Sequence, residues 1–264
     1  MKISRALFRK VLITVATTYL LLLAFLFFFQ RQLQYLPMGK VAQIPEGFES
    51  KNLVDADGLS LLAWYHSAKK GEKTILYFHG NAGNIGDRAA KFSAFADAGF
   101  GVLAISYRGY FGSEGKPSEA GLIKNGEAAL KFLLDQNYQT SDIILFGESL
   151  GSGVAVQLAA RSEFSAIILE SPFSSIANVG QKRYWFAPVK LLLKDHFDSE
   201  KFAPKIVSPT LIFHGTADEV VPFSEGKNLF EKITSPKKFI EVQGAGHLDF
   251  SQDFLIREIT NFLK

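Results

Sequence analysis

The chain contains no cysteine. Disulfides, thiol nucleophiles and thiolate metal sites are therefore excluded. The absence leaves the compartment open, because a disulfide-free fold works on either side of a membrane. The sequence also lacks a Walker-type phosphate loop, a His-Glu-x-x-His pair and an EF-hand loop, so neither a metal nor a cofactor is implied. It has no internal repeat and no Asn-x-Ser/Thr sequon, and the missing sequon leans towards a bacterial origin. Excess positive charge is absent from most of its length. The formal +3 divides into +5 over residues 1–31, which hold no acid, and −2 over 32–264. The larger part gives no electrostatic case for nucleic acid, and none is expected as a partner.

What is present first is an uncharged run of 19 residues, Val11 to Phe29, broken only by Thr14, Thr17, Thr18 and Tyr19 among its less apolar members. As a helix it reaches roughly 28 Å, about the thickness of a bilayer's hydrocarbon core. A cleaved signal peptide would have a shorter apolar region and a small-x-small site, whereas this run ends in three phenylalanines followed by Gln-Arg-Gln. The expectation is an uncleaved single-pass anchor over 11–29, behind a basic flank at 1–10. Lys2, Arg5, Arg9 and Lys10 precede it, and only Arg31 and Lys40 follow closely. That bias predicts a cytoplasmic N-terminus, with the rest of the chain on the periplasmic, lumenal or external face.

With 264 residues and 47% hydrophobic content, one large α/β domain plus a short appendage is expected. Residues 30–50, with Pro37, Gly39, Pro45 and Gly47, read as a connector, and the domain as 51–264. Strand-like runs at 59–66, 74–79, 100–107, 142–146, 166–170, 210–214 and 238–242 alternate with helical spacing at 87–98, 118–136, 150–161, 224–233 and 251–263. This rhythm predicts a mainly parallel sheet covered on both faces. Ligands of such sheets sit beyond the carboxyl ends of the strands. Residues 171–208 break the rhythm with an aromatic-rich insert, read either as a lid over the site or as core packing.

Ser149 stands in Gly147-Glu148-Ser149-Leu150-Gly151, between a buried-strand run and a run of small residues that reads as a packed helix. A serine on a sharp strand-to-helix turn projects its hydroxyl above the sheet, and the flanking glycines leave room for the strained backbone. The hydroxyl is a poor nucleophile until a base removes its proton. For this kind of turn, a carboxylate and a histidine should follow in that order, each in a loop after a later strand. Asp218 follows the run 210–214, and His247 follows the run 238–242 inside Gly244-Ala-Gly246-His247. Glu170, which also ends a strand, is the rival acid. Glu219 and Asp249 read as loop hydrogen-bonders. Among the five histidines, His66 and His196 have no motif around them, His79 precedes the serine, and His214 reads as structural. Two oxyanion donors are expected, the backbone N–H groups of Leu150 and of Asn81 in the loop after 74–79. The glycines of that loop are spaced G-x-x-G-x-x-G, which does not fit a dinucleotide fingerprint.

Five motifs occur in one order: HGNAGN at 79–84, SYRGYFGSEG at 106–115, GESLG at 147–151, HGTADEVVP at 214–222 and GAGH at 244–247. With these the chain, from about residue 50 onward, resembles the α/β-hydrolase superfamily. Within it, the chain is similar to membrane-anchored α/β-hydrolase domain-containing proteins, which include bacterial inner-membrane hydrolases and eukaryotic relatives of the bud-emergence type. The resemblance implies Ser149 as nucleophile, Asp218 as acid, His247 as base, and Asn81 and Leu150 as oxyanion donors. One departure is Phe111, where the family loop usually carries glycine; a bulky residue there is expected to reshape the loop near the pocket.

The expected activity is hydrolysis of carboxylic esters or thioesters through an acyl-enzyme on Ser149, with a small acyl-ester, thioester or lipid-like substrate. Two alternatives stand: an amide hydrolase resembling serine aminopeptidases, which would need a pocket carboxylate such as Glu148 or Glu170 for the substrate amine, and a membrane-tethered interaction module without turnover.

Overall fold

The computed structural model describes residues 4–39 and 43–264. Lys2 and Lys40, two of the charges that bear on orientation, lie outside the described residues. The chain opens with α1 (Arg5–Gln34), capped by the Ser4 side chain, which accepts from the Leu7 amide. This helix is long and apolar enough to cross a membrane, and its most apolar stretch is unburied. It runs five residues past Phe29, into the segment read from sequence as connector.

Among the described residues eight strands follow: β1 (Glu49–Val54), β2 (Ser60–His66), β3 (Thr74–Phe78), β4 (Gly101–Ile105), β5 (Ile143–Glu148), β6 (Ala166–Glu170), β7 (Thr210–Gly215) and β8 (Lys237–Val242). They form one sheet in the order β1-β2-β4-β3-β5-β6-β7-β8. The pairs β1–β2 and β2–β4 are antiparallel, and the rest are parallel. The helices that cover it are α2 (Ala89–Asp97), α3 (Glu119–Asp135), α4 (Leu150–Ala159), α8 (Phe223–Lys232) and α9 (Gln252–Phe262). The insert between β6 and β7 carries α5 (Ile176–Arg183), α6 (Val189–Leu192) and α7 (Ser199–Phe202).

The central strands are buried on both faces, so they read as continuous apolar runs. Alternation then divides their side chains. Ile144 and Phe146 of β5 join the core on the α2–α9 side, while Ile143 and Leu145 join the core on the α3–α4 side. Helix α4 is buried along its whole length, which its small residues permit. β1 was not among the strands read from the sequence. Its residues alternate exposed and covered at the sheet edge, and β2 pairs with it antiparallel.

The strand order reverses beside β3: β4 pairs on one side of it and β5 on the other. This switch point leaves a crevice at the carboxyl ends of β3 and β5, where the loop at 79–84 and Ser149 both lie.

Candidate active site

Ser149 links β5 to α4 with φ 48° and ψ −111°. A non-glycine residue there is strained and must be held by its surroundings. The Ser149 amide donates to the Glu170 carbonyl at 2.8 Å, and the Ser152 hydroxyl and amide both donate to the Ser149 carbonyl. The flanking glycines serve close approach rather than left-handed backbone. A Cβ on Gly151 would come within 2.0 Å of the Phe78 carbonyl oxygen, and one on Gly147 within 2.6 Å of Ser152 Cα. Small residues thus let α4 start directly against β3.

The loops after β7 and β8 are joined to each other. The Thr216 amide donates to the Val242 carbonyl, the Ala217 amide to the Ala245 carbonyl, and the Gly244 amide to the Thr216 hydroxyl. This seam brings Asp218 and His247 together. Asp218 Oδ2 lies 2.7 Å from His247 Nδ1, and His247 Nε2 lies 3.0 Å from Ser149 Oγ. Asp218 Oδ1 accepts from the amides of Val220 and Val221, at 2.9 and 2.8 Å. Burial works against its charge, yet hydrogen bonds from His214 and His247 hold its carboxyl below the usual carboxylate range. The structure therefore brings Ser149, Asp218 and His247 into one hydrogen-bonded chain. The other four histidines each bond a backbone carbonyl: His66 that of Gly47, His79 that of Gly80, His196 that of Leu193 and His214 that of Val221.

Glu170, the rival acid, is elsewhere. It pairs with Lys91 at 2.7 Å, and burial raises its pKa. Lys91 also approaches Glu148, which Arg88 grips with Nη2 at 2.6 Å and Nε at 3.1 Å. Burial opposes the charge of Glu148, but Lys91 and Arg88 keep it ionised far below the ordinary carboxylate value. Tyr77 and the Gly80 amide also donate to it. This buried cluster beneath the serine was not read from the sequence. Lys91 and Arg88 lie on a segment whose apolar spacing marks a surface helix, and nothing local shows that the cations face inward. Among the described residues Glu219 makes no hydrogen bond at this site, and Asp249 accepts from the Gly246 amide at 3.0 Å.

A cavity of about 430 Å³ opens beside Ser149. Its lining includes Leu150 and Asn81. Leu150 is the first residue of α4, so its N–H has no intrahelical acceptor. The Asn81 side-chain oxygen accepts from the Leu36 amide and the Tyr110 hydroxyl, which ties the 79–84 loop down. Phe173, Ile176 and Val179 form an apolar wall from the insert, and Val221 a wall from the loop after β7. The remaining wall is α1. Phe111, expected to reshape the loop near the pocket, does not line the cavity; its carbonyl accepts from the Ser106 hydroxyl within that loop. Among the described residues no group of side chains could hold a metal ion.

Comparison with known proteins follows the same lines. A family model described as "Serine aminopeptidase, S33" matches residues 69–199, which include Ser149 but stop before Asp218 and His247. The uncharacterized protein Rv2307c of Mycobacterium tuberculosis is 38% identical over 196 residues, covering 73% of this chain and 70% of that protein. Alpha/beta hydrolase domain-containing protein 17B of Homo sapiens is 37% identical over 182 residues, covering 67% of this chain and 60% of its own length. An esterase of Pyrococcus furiosus superposes with a TM-score of 0.69 at 20% identity, over 87% of this chain and 96% of that one. The elbow at Ser149, the sheet order and these likenesses agree: the chain is a hydrolase that belongs to the α/β-hydrolase superfamily.

Proposed function

We propose that the protein is a membrane-anchored serine hydrolase that cleaves carboxylic esters or thioesters through an acyl-enzyme on Ser149. The observation that carries this reading is the continuous chain from Asp218 through His247 to Ser149 at the floor of an apolar cavity. His247 Nε2 takes the Ser149 proton as Oγ attacks the acyl carbon, and Asp218 keeps the other imidazole proton on Nδ1. The backbone N–H groups of Asn81 and Leu150 receive the negative charge that develops on the carbonyl oxygen. His247 then gives its proton to the departing alkoxide or thiolate. Water, deprotonated by the same imidazole, releases the acid and restores the serine. The sum is one ester or thioester plus water yielding one acid and one alcohol or thiol.

The test is labelling with a fluorophosphonate probe. Wild type should be labelled and Ser149→Ala should not; equal labelling of both removes the reading. Partner binding that survives Ser149→Ala, with no turnover by wild type on any ester, would favour a non-catalytic tethered module.

The aminopeptidase description of the family model favours a second reading, amide cleavage. A free amine on the substrate calls for a carboxylate in the cavity. Among the described residues no Asp or Glu lines it, and Glu148 and Glu170 face Arg88 and Lys91 instead. Short p-nitrophenyl esters compared with aminoacyl amides separate the two readings.

The orientation we infer puts the N-terminus in the cytoplasm and the hydrolase domain on the periplasmic, lumenal or external side. It is supported by Arg5, Arg9 and Lys10 ahead of the span. The charge of Arg31 behind the span is met by Asp195. A C-terminal reporter that fluoresces only in cytosol should stay dark.

A further inference from the structure

Helix α1 does more than reach a membrane. Leu23, Leu26, Phe27, Gln30, Leu33 and Gln34 line the cavity that holds Ser149. Their spacing of three and four defines one stripe of a helix. Residues 23, 26, 27 and 30 are the ones in this stretch that the domain covers, while Leu21, Phe25 and Phe28 on the other faces stay exposed. From Leu23 to Gln34 the stripe runs roughly 17 Å along the cavity.

The packing is fixed by polar contacts that a simple tether would not need. Arg31 makes two hydrogen bonds to the buried carboxylate of Asp195, at 2.7 and 3.0 Å. Gln30 Nε2 donates to the Leu192 carbonyl at 3.2 Å, and Gln30 Oε1 accepts from the Lys194 backbone amide at 2.6 Å. Higher up, the Tyr19 hydroxyl donates to the Phe186 carbonyl at 2.8 Å. Tyr19 precedes Phe29 by ten residues, so the tip of the insert stands roughly 15 Å up the helix from the end of the apolar run. That tip exposes Trp185 and Leu191 by 80% and 81%. Large apolar side chains left open beside an apolar helix form one continuous surface suited to hydrocarbon.

We propose that α1 is a wall of the substrate site. Its C-terminal half and the 171–208 insert enclose a channel that opens sideways into the bilayer and seats the acyl chain of a long-chain ester or thioester drawn from the membrane. Leu23, Leu26 and Phe27 are its specificity-determining residues. The proposal rests on the serine-hydrolase reading for its chemistry, and on the geometry of α1 for its substrate class. A lipid ester and an S-acylated peptide share this chemistry, since each presents an apolar chain within the bilayer and a cleavable bond at its surface.

The full-length protein in phospholipid vesicles tests it. In the first arm the vesicles contain a phospholipid with a photoreactive diazirine in its acyl chain, and adducts on wild type and Ser149→Ala are mapped by mass spectrometry. Adducts on Phe173 and Val221, which are buried in the domain and 2% and 4% exposed, are expected. Adducts confined to outward residues such as Leu21 and Phe28 overturn the channel. This readout needs no turnover, so a protein that hydrolyses nothing yet carries these adducts loses the hydrolase reading and keeps the channel.

In the second arm the ratio of long-chain to short-chain ester turnover is measured. Leu26→Trp fills the channel and should lower that ratio about tenfold, the scale on which apolar pockets discriminate chain length. Leu21→Trp, on the lipid-facing side, should leave the ratio as in wild type. A Leu26→Trp ratio equal to wild type overturns the proposal. Vesicles carrying a diacyl phospholipid or a membrane-bound S-acyl peptide then distinguish the two sources by which one releases fatty acid.

Discussion

Arg88 holds Glu148 from two nitrogens, and Glu148 immediately precedes the serine on which the proposed chemistry turns. Both side chains are largely shut off from solvent, at 13% and 2% exposure. Removing one partner leaves the other as a buried charge with too few contacts. Arg88→Ala should therefore destabilise the fold by about 3 kcal/mol or more. Glu148→Gln combined with Arg88→Ala should cost less than the sum of the single changes. Chemical denaturation of the four proteins in a double-mutant cycle measures this, and strict additivity would show that the two groups do not interact.

Asp218 faces His247 with one oxygen and two backbone amides with the other. Asp218→Asn preserves the shape but presents an amide to the ring, favouring the wrong imidazole tautomer. Ester turnover should fall on the order of 10⁴-fold, as such tautomer defects do in serine hydrolases. Circular dichroism should stay that of wild type. Turnover within a few-fold of wild type would reassign the acid.

Gly151 sits where a methyl group has no room, with Phe78 backbone atoms 2.0 and 2.5 Å from an added Cβ. Backbone cannot swing aside as the end of a long side chain can. Gly151→Ala should cost about 3 kcal/mol or prevent folding, in the range for overpacking against fixed atoms. The urea midpoint measures the loss. A midpoint unchanged from wild type would mean that α4 is free to withdraw from β3.

His79 is fully buried against Tyr107, and burial pushes its pKa down from 6.5 to about 3. Its folded value lies below its unfolded one, so the unfolded chain takes up the proton first as pH falls. Above pH 6.5 both states are neutral and this group adds no pH dependence. Between 6.5 and about 3 stability declines as pH drops. Asp218, also depressed, has the same sign: its contribution is intact above 3.8 and declines as pH falls below that value. Unfolding free energy measured from pH 7 to 5 should fall in wild type and fall less steeply in His79→Gln. Equal slopes would show that His79 is protonated in the folded state.

Much of the architecture was legible locally. Burial on both faces turns β3, β5, β6 and β7 into short apolar runs, and the intervening helices keep a visible stripe, so their alternation implied the parallel sheet. The exceptions have physical causes. β1 is an edge strand with little to bury, and its residues carry no apolar signature. The 171–208 insert carried aromatics in abundance, but composition could not say whether they face the core, the cavity or neither. Phe173 is buried, Ile176 walls the cavity, and Trp185 stands open.

The order Ser149, Asp218, His247 could be read from one strand of text because each follows a strand end in a parallel sheet, and parallel strands deliver their ends to the same edge. Choosing between Asp218 and Glu170 as the neighbour of the histidine required the seam that draws Gly244 onto Thr216, and the lysine at 91 that occupies Glu170. The same holds for α1. That it holds an apolar span long enough to cross a bilayer follows from residues 11–29 alone, because helix rise and side-chain hydrophobicity are local properties; that the helix continues to Gln34 does not. Its place as a wall of the Ser149 cavity depends on contacts with residues more than a hundred positions away, such as Gln30 with Leu192 and Arg31 with Asp195. No local periodicity encodes which face meets which partner at that separation, so only the folded chain decides it.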